Sequence, residues 1–69
     1  MSEDLKEVTA DALELIMLNQ NALSAAIEEL SVWVRDRGAL AVHENVIGAL
    51  DTLDTSNEGI SSLIQLLRR

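Results

Sequence analysis

Apolar residues recur along the chain at alternating intervals of four and three positions, which is the spacing of a helix that buries one face. The alternation runs from residue 3 to residue 37, stops at Gly38 and restarts directly after it. We therefore predict one domain, residues 1–69, with helix 1 over about 3–37, a turn at 38–39 and helix 2 over about 40–67. Abundant Ala, Leu, Ile and Glu and the absence of Pro agree with an all-α chain.

The ends of the predicted helices carry suitable residues. Ser2 can cap a helix that begins with the acidic pair Glu3 and Asp4, and a glycine at position 38 is the usual C-terminal stop. The segment Thr55-Ser-Asn-Glu58 matches a capping box, so a break into a third helix near 55–59 is an alternative. The apolar spacing keeps its phase across this segment, which favours one continuous second helix.

A turn this short between long helices predicts an antiparallel hairpin. In such a hairpin, the position numbers of two facing residues add up to the same total along its whole length. A sum of 76 brings apolar residues of both helices together and also aligns two polar interruptions, Gln20 and Ser56. This coincidence is the main sequence evidence for the hairpin. The predicted apolar pairs are Val34–Val42, Leu30–Val46, Ile27–Ala49, Leu23–Leu53, Ile16–Ile60 and Leu13–Leu63.

On each helix, a second series of apolar residues lies beside the series that forms the predicted pairs. The two helices of one hairpin cannot cover both series. A chain of 69 residues rarely gains more than about 3–5 kcal/mol from its core, and exposed apolar patches of this size are unusual in monomers. We therefore expect a homodimer, that is, two antiparallel two-helix hairpins forming a four-helix bundle. The expected dimer interface comprises Leu5, Val8, Leu15, Ala22 and Ala26 of helix 1 and Ile47, Leu50 and Ile64 of helix 2.

Charge and composition limit the kinds of site, location and partner that this chain can have. The chain has a net charge of −7 and no Cys, so disulfides and thiolate metal sites are excluded. Its first residues do not have the pattern of a signal peptide, and no apolar run approaches the roughly 20 residues of a membrane span. We expect a cytoplasmic protein without membrane insertion. The acidity suits a basic protein partner and disfavours nucleic acid.

The sequence offers no catalytic constellation. It lacks Cys and Tyr, has a single His and has no glycine-rich phosphate loop, and its carboxylates are spaced like a solvated helix face. We expect no enzyme activity, no cofactor and no metal site. The constant sum places His43 opposite Trp33, where packing or hydrogen bonding near the turn is its simplest role.

The segment WVRDRG holds the only aromatic residue, Trp33, together with Arg35 and Arg37. Arginines suit the last turn of a helix, and Trp33 could belong to a dimer core, so a structural role is one interpretation. Trp and Arg are also enriched in binding hot spots, which makes this end of the hairpin the first candidate contact region. The acidic face of helix 2, which suits an Arg- or Lys-rich partner, is the second. The candidate partner-binding residues are Trp33, Arg35, Arg37, His43, Glu44 and Asp51.

The size, the hairpin and the run LSVWVRDRGALAVHENVIGALDTLD resemble the anti-quorum-sensing proteins of Mu-like bacterial viruses, over nearly the whole chain. The resemblance implies a dimeric helical hairpin that inhibits host proteins in the bacterial cytoplasm by binding them. The implied partners are the acyl-homoserine-lactone-responsive transcription activator of quorum sensing and the type IV pilus assembly ATPase. The resemblance assigns no binding residues.

Two other functions compete with this one. The architecture also resembles the repressor-of-primer protein of plasmids, an RNA-binding hairpin dimer, although five basic residues against twelve acidic ones make a phosphate-binding face difficult. A structural adaptor without an inhibitory role is the third possibility.

Overall fold

Two long helices make up the fold in the computed structural model, which describes residues 2–69. The first helix, α1, spans Glu3–Asp36, and the second, α2, spans Leu40–Leu67. They pack against each other as a narrow rod of 53 × 15 × 12 Å, and the described residues form no strand. The predicted all-helical hairpin is confirmed. Because α2 runs without interruption past position 59, the alternative of a third helix is wrong.

The turn between the helices closes through a glycine conformation. Gly38 has φ of 82°, in the left-handed region that costs a residue with a side chain more than it costs glycine. Its N–H donates to the Arg35 carbonyl at 2.9 Å, and the Ala39 N–H donates to the Val34 carbonyl at 3.3 Å. This pair of bonds is a Schellman motif, which satisfies carbonyls at the end of α1 while the chain reverses.

At the start of α1, the Ser2 hydroxyl accepts a hydrogen bond from the Leu5 N–H at 3.1 Å, as a capping serine should. The first turn also carries Glu3 and Asp4, whose charges suit the positive end of the helix dipole. By contrast, α2 begins after Ala39 without a side-chain cap. The start of α2 is therefore fixed by the turn rather than by a capping residue.

The register of the hairpin agrees with the predicted one. The Ser31 hydroxyl lies 2.9 Å from His43 Nδ1, and the Asn57 amide donates to Asn21 Oδ1 at 2.8 Å. The position numbers of these two pairs sum to 74 and 78, on either side of the predicted 76. The two helices are thus aligned along their length as the sequence pattern indicated.

The rotation of each helix about its own axis differs from the prediction. One predicted series does face inward, as shown by the part-buried Leu13, Gln20, Ile27 and Val34. The other series of α1 that faces inward is not the predicted one but the series on the opposite side of these residues, and it contributes the buried Ala10, Ser24 and Ser31. On α2, the buried residues are Leu50 and Ile64. Each predicted apolar pair therefore has one exposed member: Ile16, Leu23, Leu30, Val42, Ala49 or Leu63. Ser56, which was predicted to face Gln20, is exposed as well.

The physical reason is that α1 is apolar over an arc wider than one neighbouring helix can cover. The series Leu13, Gln20, Ile27 and Val34 has a series of apolar or small residues on each side, and either of these could face α2. The side with small residues is the one that packs against α2. Ala10, Ser24 and Ser31 have short side chains that let the helices approach closely. The larger aliphatic side chains of the other flank, Ile16, Leu23 and Leu30, are left on the outside.

The contact between the helices is consequently small and partly polar. None of the large side chains among the described residues is fully buried. Three buried polar atoms near the middle of the contact, Gln20 Oε1, Ser24 Oγ and Asn57 Oδ1, have no hydrogen-bond partner within the chain. Buried polar groups without partners lower the stability of the folded state. The contact between the two helices therefore contributes little to the stability of a single chain.

Candidate protein-binding surfaces

One long edge of the hairpin is apolar. Residues spaced by seven on α1 lie beside residues spaced by seven on α2, because both series flank the inner contact on the same side. Most of these side chains are about half exposed; that of Leu23, for example, is 50% exposed. We call this surface the apolar edge, and it comprises Ile16, Leu23, Leu30, Val42, Ala49 and Leu63.

A further series of exposed residues on α1 borders the apolar edge on its outer side. Its members are again spaced by seven, and all are exposed. We call it the border series, and it comprises Leu5, Ala12, Asn19, Ala26 and Trp33. It carries no charge, so it extends the apolar edge around α1.

The opposite edge of the hairpin is charged. The Arg68 guanidinium reaches across from α2 to three carboxylates of α1: Asp11 at 2.6 Å, Glu14 at 2.8 Å and Glu7 at 3.9 Å. Partial desolvation acts to lower the pKa of Arg68, but the hydrogen bond to Glu14 and the charges of Glu14, Asp11 and Glu7 outweigh it and raise that pKa above its usual value. This cluster holds the open end of the hairpin together.

This cluster was not predicted from the sequence, although the sequence contains a signal for it. Glu7, Asp11 and Glu14 follow one another at intervals of four and three, which places them on one side of α1. The predicted constant sum of 76 brings position 68 opposite position 8. A basic residue at that height of α2 could therefore have been assigned to these acids.

The predicted dimer-interface residues fall into three groups. Leu50 and Ile64 are 8% and 7% exposed because they pack against α1, so their placement on an outer face is wrong. Ile47 is exposed, but its spacing of 21 residues from Arg68 puts it on the charged edge, away from the others. The remaining predicted residues are exposed on the outer surface of α1: Leu5, Val8, Leu15, Ala22 and Ala26.

The loop end of the hairpin carries an exposed aromatic site. The Trp33 side chain is 57% exposed, and the Arg37 guanidinium carbon lies 4.6 Å from the centre of its ring. This cation–π contact orients the indole. Trp33 lines a shallow depression together with Ala26, Glu29 and Leu30, which could receive an apolar side chain.

Two other candidate residues of this end have internal partners. Arg35 pairs with the adjacent Asp36 at 3.5 Å on the exposed surface. His43 is half-buried on the inner face, where its Nδ1 also lies 3.2 Å from the Ser31 carbonyl oxygen. The expectation that His43 faces Trp33 is therefore wrong, because the rotated helices place Ser31 opposite it. His43 serves the contact between the helices.

The acidic candidates lie on the outer side of α2. Glu44 and Asp51 are exposed and spaced by seven, and Glu58 continues the same series. A row of carboxylates at this spacing presents negative charge along one line of a helix. Such a row could contact a basic surface of a partner.

The described residues contain no group of three or more His, Asp or Glu side chains arranged to hold a metal ion. Over the same residues 2–69, neither helix is long and apolar enough to cross a membrane. Among the basic side chains of residues 2–69, Lys6, Arg35 and Arg68 are each engaged by carboxylates, which makes these three less suited to contact phosphates. What the surface offers is apolar and acidic contact area.

Comparisons with protein-family models, with curated proteins and with solved structures find no match to this chain.

Replacing Arg68 tests the role of the carboxylate cluster. We expect Arg68→Gln to lower the thermal midpoint at about 20 mM salt and to have a much smaller effect at about 1 M salt, where exposed charges are screened. Thermal unfolding followed by circular dichroism measures both. Arg69→Gln is the matched control, and an equal loss in the two variants at low salt would contradict a specific role of Arg68.

Proposed function

We propose that this chain is a non-enzymatic homodimer that acts by binding other proteins and inhibiting them. In keeping with its resemblance to the phage anti-quorum-sensing proteins, we propose as partners the quorum-sensing transcription activator and the type IV pilus assembly ATPase of a bacterial host. The site of action would be the host cytoplasm.

The observation that carries the proposal is the imbalance between the inner contact and the apolar edge. Among the described residues, the inner contact buries two large aliphatic side chains, Leu50 and Ile64, together with one alanine and two serines, and it leaves three polar atoms unpaired. The apolar edge, by contrast, presents five large leucine, isoleucine and valine side chains to solvent. Covering a half-exposed side chain of this kind contributes roughly 1 kcal/mol. Five of them would add to each chain about as much as a small core supplies by itself.

A second copy of the chain is a suitable cover for this edge. The apolar edge contains no charged residue, so two chains that each carry a net charge of −7 could approach there without placing like charges face to face. The product is the expected four-helix bundle. In such a bundle the acidic outer side of α2 and the Arg37 guanidinium remain free for other proteins.

Two features support protein partners for the remaining surface. The Arg37 guanidinium, which lies over the Trp33 ring at the loop end, is the kind of group that anchors protein interfaces. The acidic row containing Glu44 and Asp51 complements a basic surface, such as the DNA-reading face of an activator. No observation on the chain favours RNA binding or a purely structural role over this proposal.

The dimer is tested by a pair of equivalent substitutions. Leu23 of the apolar edge and Leu18 on the far side of α1 are 50% and 62% exposed in the single chain, so a monomer would tolerate glutamate similarly at both. We expect sedimentation equilibrium to give twice the 7.5 kDa chain mass for the unaltered protein and for Leu18→Glu. The Leu23→Glu variant should dissociate into monomers or unfold. Equal behaviour of the two variants would count against the dimer.

The partner surface is tested by calorimetric titration of the purified activator and of the purified ATPase with the dimer. We expect at least one to bind, and Arg37→Glu or Asp51→Lys to weaken its binding by about tenfold or more, as the loss of a hot-spot contact does. Arg69→Glu reproduces the charge change away from the loop and should bind normally. Absence of binding to both proteins would overturn the proposed partners, and unchanged binding by both surface variants would overturn the proposed surface.

A further inference from the structure

We propose that the two copies pair antiparallel about a two-fold axis that crosses α1 near Asn19 and α2 near Ser56, so that the two loops lie at opposite ends of the dimer. This inference rests on the proposed dimer and specifies its geometry. It is drawn from the spacing of side chains on the exposed surface.

The border series is symmetric about its central residue. Reading outward from Asn19, the next members on both sides are alanines, Ala12 and Ala26, and the outermost are the large Leu5 and Trp33. An interface between identical subunits with a two-fold axis must be complementary to itself. With the axis at Asn19, alanine meets alanine, and each Leu5 lies beside Trp33 of the second copy.

The apolar edge has the same centre on α1. Ile16 and Leu23 lie on either side of a point between residues 19 and 20, and Thr9 and Leu30 lie symmetrically about that point. In an antiparallel arrangement about this point, Ile16 faces Leu23 of the second copy. Both central contacts then join large aliphatic side chains.

The α2 part of the apolar edge is compatible with an axis at Ser56. Ala49 and Leu63 lie seven residues before and after Ser56, so an axis there pairs the small side chain with the large one. The hydrogen bonds between the helices set a register in which facing positions sum to between 74 and 78. Ser56 is therefore level with residues 18–22 of α1. The axis through the centre on α1 therefore passes α2 at the height of Ser56.

The unpaired polar atoms lie close to this height. Gln20 Oε1 and Asn57 Oδ1 are buried without a partner in the single chain. At the same level, the axis brings the exposed Asn19 and Ser56 of one copy against the same residues of the second copy, and their amides and hydroxyls can donate hydrogen bonds to one another. A polar layer on the axis would fix the register of the dimer, which is a known use of buried polar residues.

The competing arrangement has its two-fold axis parallel to the helices. It places both loops at one end and packs α1 of one copy against α2 of the other. In that arrangement, the border series of one copy does not contact the border series of the other, and the same holds for the α2 part of the apolar edge. The symmetry about Asn19 and about Ser56 would then serve no purpose.

The chain contains no cysteine, so single introduced cysteines report on this geometry cleanly. We would place a spin label on Asp36→Cys, beside the loop, and measure the distance between the two labels of the dimer by double electron–electron resonance. With the axis at residues 19–20, the helix rise predicts roughly 50 Å along the bundle. Loops at one end would give roughly 25 Å or less, given helix spacings of about 8–10 Å.

Oxidation of Asn19→Cys provides an independent measurement. We expect an intermolecular disulfide at this position, because residue 19 meets itself on the axis, and none for Asn45→Cys, an exposed asparagine away from the axis. A dimer with short label distances and no disulfide at position 19 would overturn the arrangement while leaving the proposed dimer intact. A monomeric protein would overturn both.

Discussion

Two helices can bury only the side chains along their single line of contact, and this limit governs the rest of the molecule. Between Glu14 and Glu28, α1 carries no charge, and its large apolar residues, such as Ile16, Leu18 and Leu23, lie on several sides, as they do in a buried helix. The neighbouring α2 covers only one side of this segment. The chain therefore has the surface of an interior helix without the layers that would enclose it, and the apolar edge is the direct consequence.

The charges follow the same division. Carboxylates occupy the outer side of α2 and the edge at which Arg68 contacts Glu7, Asp11 and Glu14. The residues of the apolar edge, on the opposite side, are uncharged. An acidic chain built in this way can associate with a copy of itself through one edge and keep its negative surface for a basic partner. One small hairpin would thereby provide both assembly and recognition.

Much of the fold followed from the sequence, because its signals were local. Ser2 and Gly38 marked helix ends, and the opposed polar positions on the two helices indicated the register. The rotation of the helices did not follow, because α1 has two apolar flanks and hydrophobicity alone cannot choose between them. The choice depended on close approach at Ala10, Ser24 and Ser31, which is a property of the packed pair. Leu50, Ile64 and His43 were misplaced for this one reason.

The candidate surfaces were predictable to different degrees. The exposed Trp33 and the acidic row of α2 were found from the sequence, since residue type and helical spacing suffice to place them. The contact of Arg37 with the indole ring and the Arg68 cluster required the path of the chain at both ends of the hairpin.

The most direct test of the central claim, that one chain is only half of a folded core, is the dependence of the thermal unfolding midpoint on protein concentration. If folding requires a second copy, the midpoint rises as the chain is concentrated from about 1 μM to about 100 μM, because association stabilises the folded state by mass action. A cooperative transition whose midpoint stays the same over that range would contradict the account.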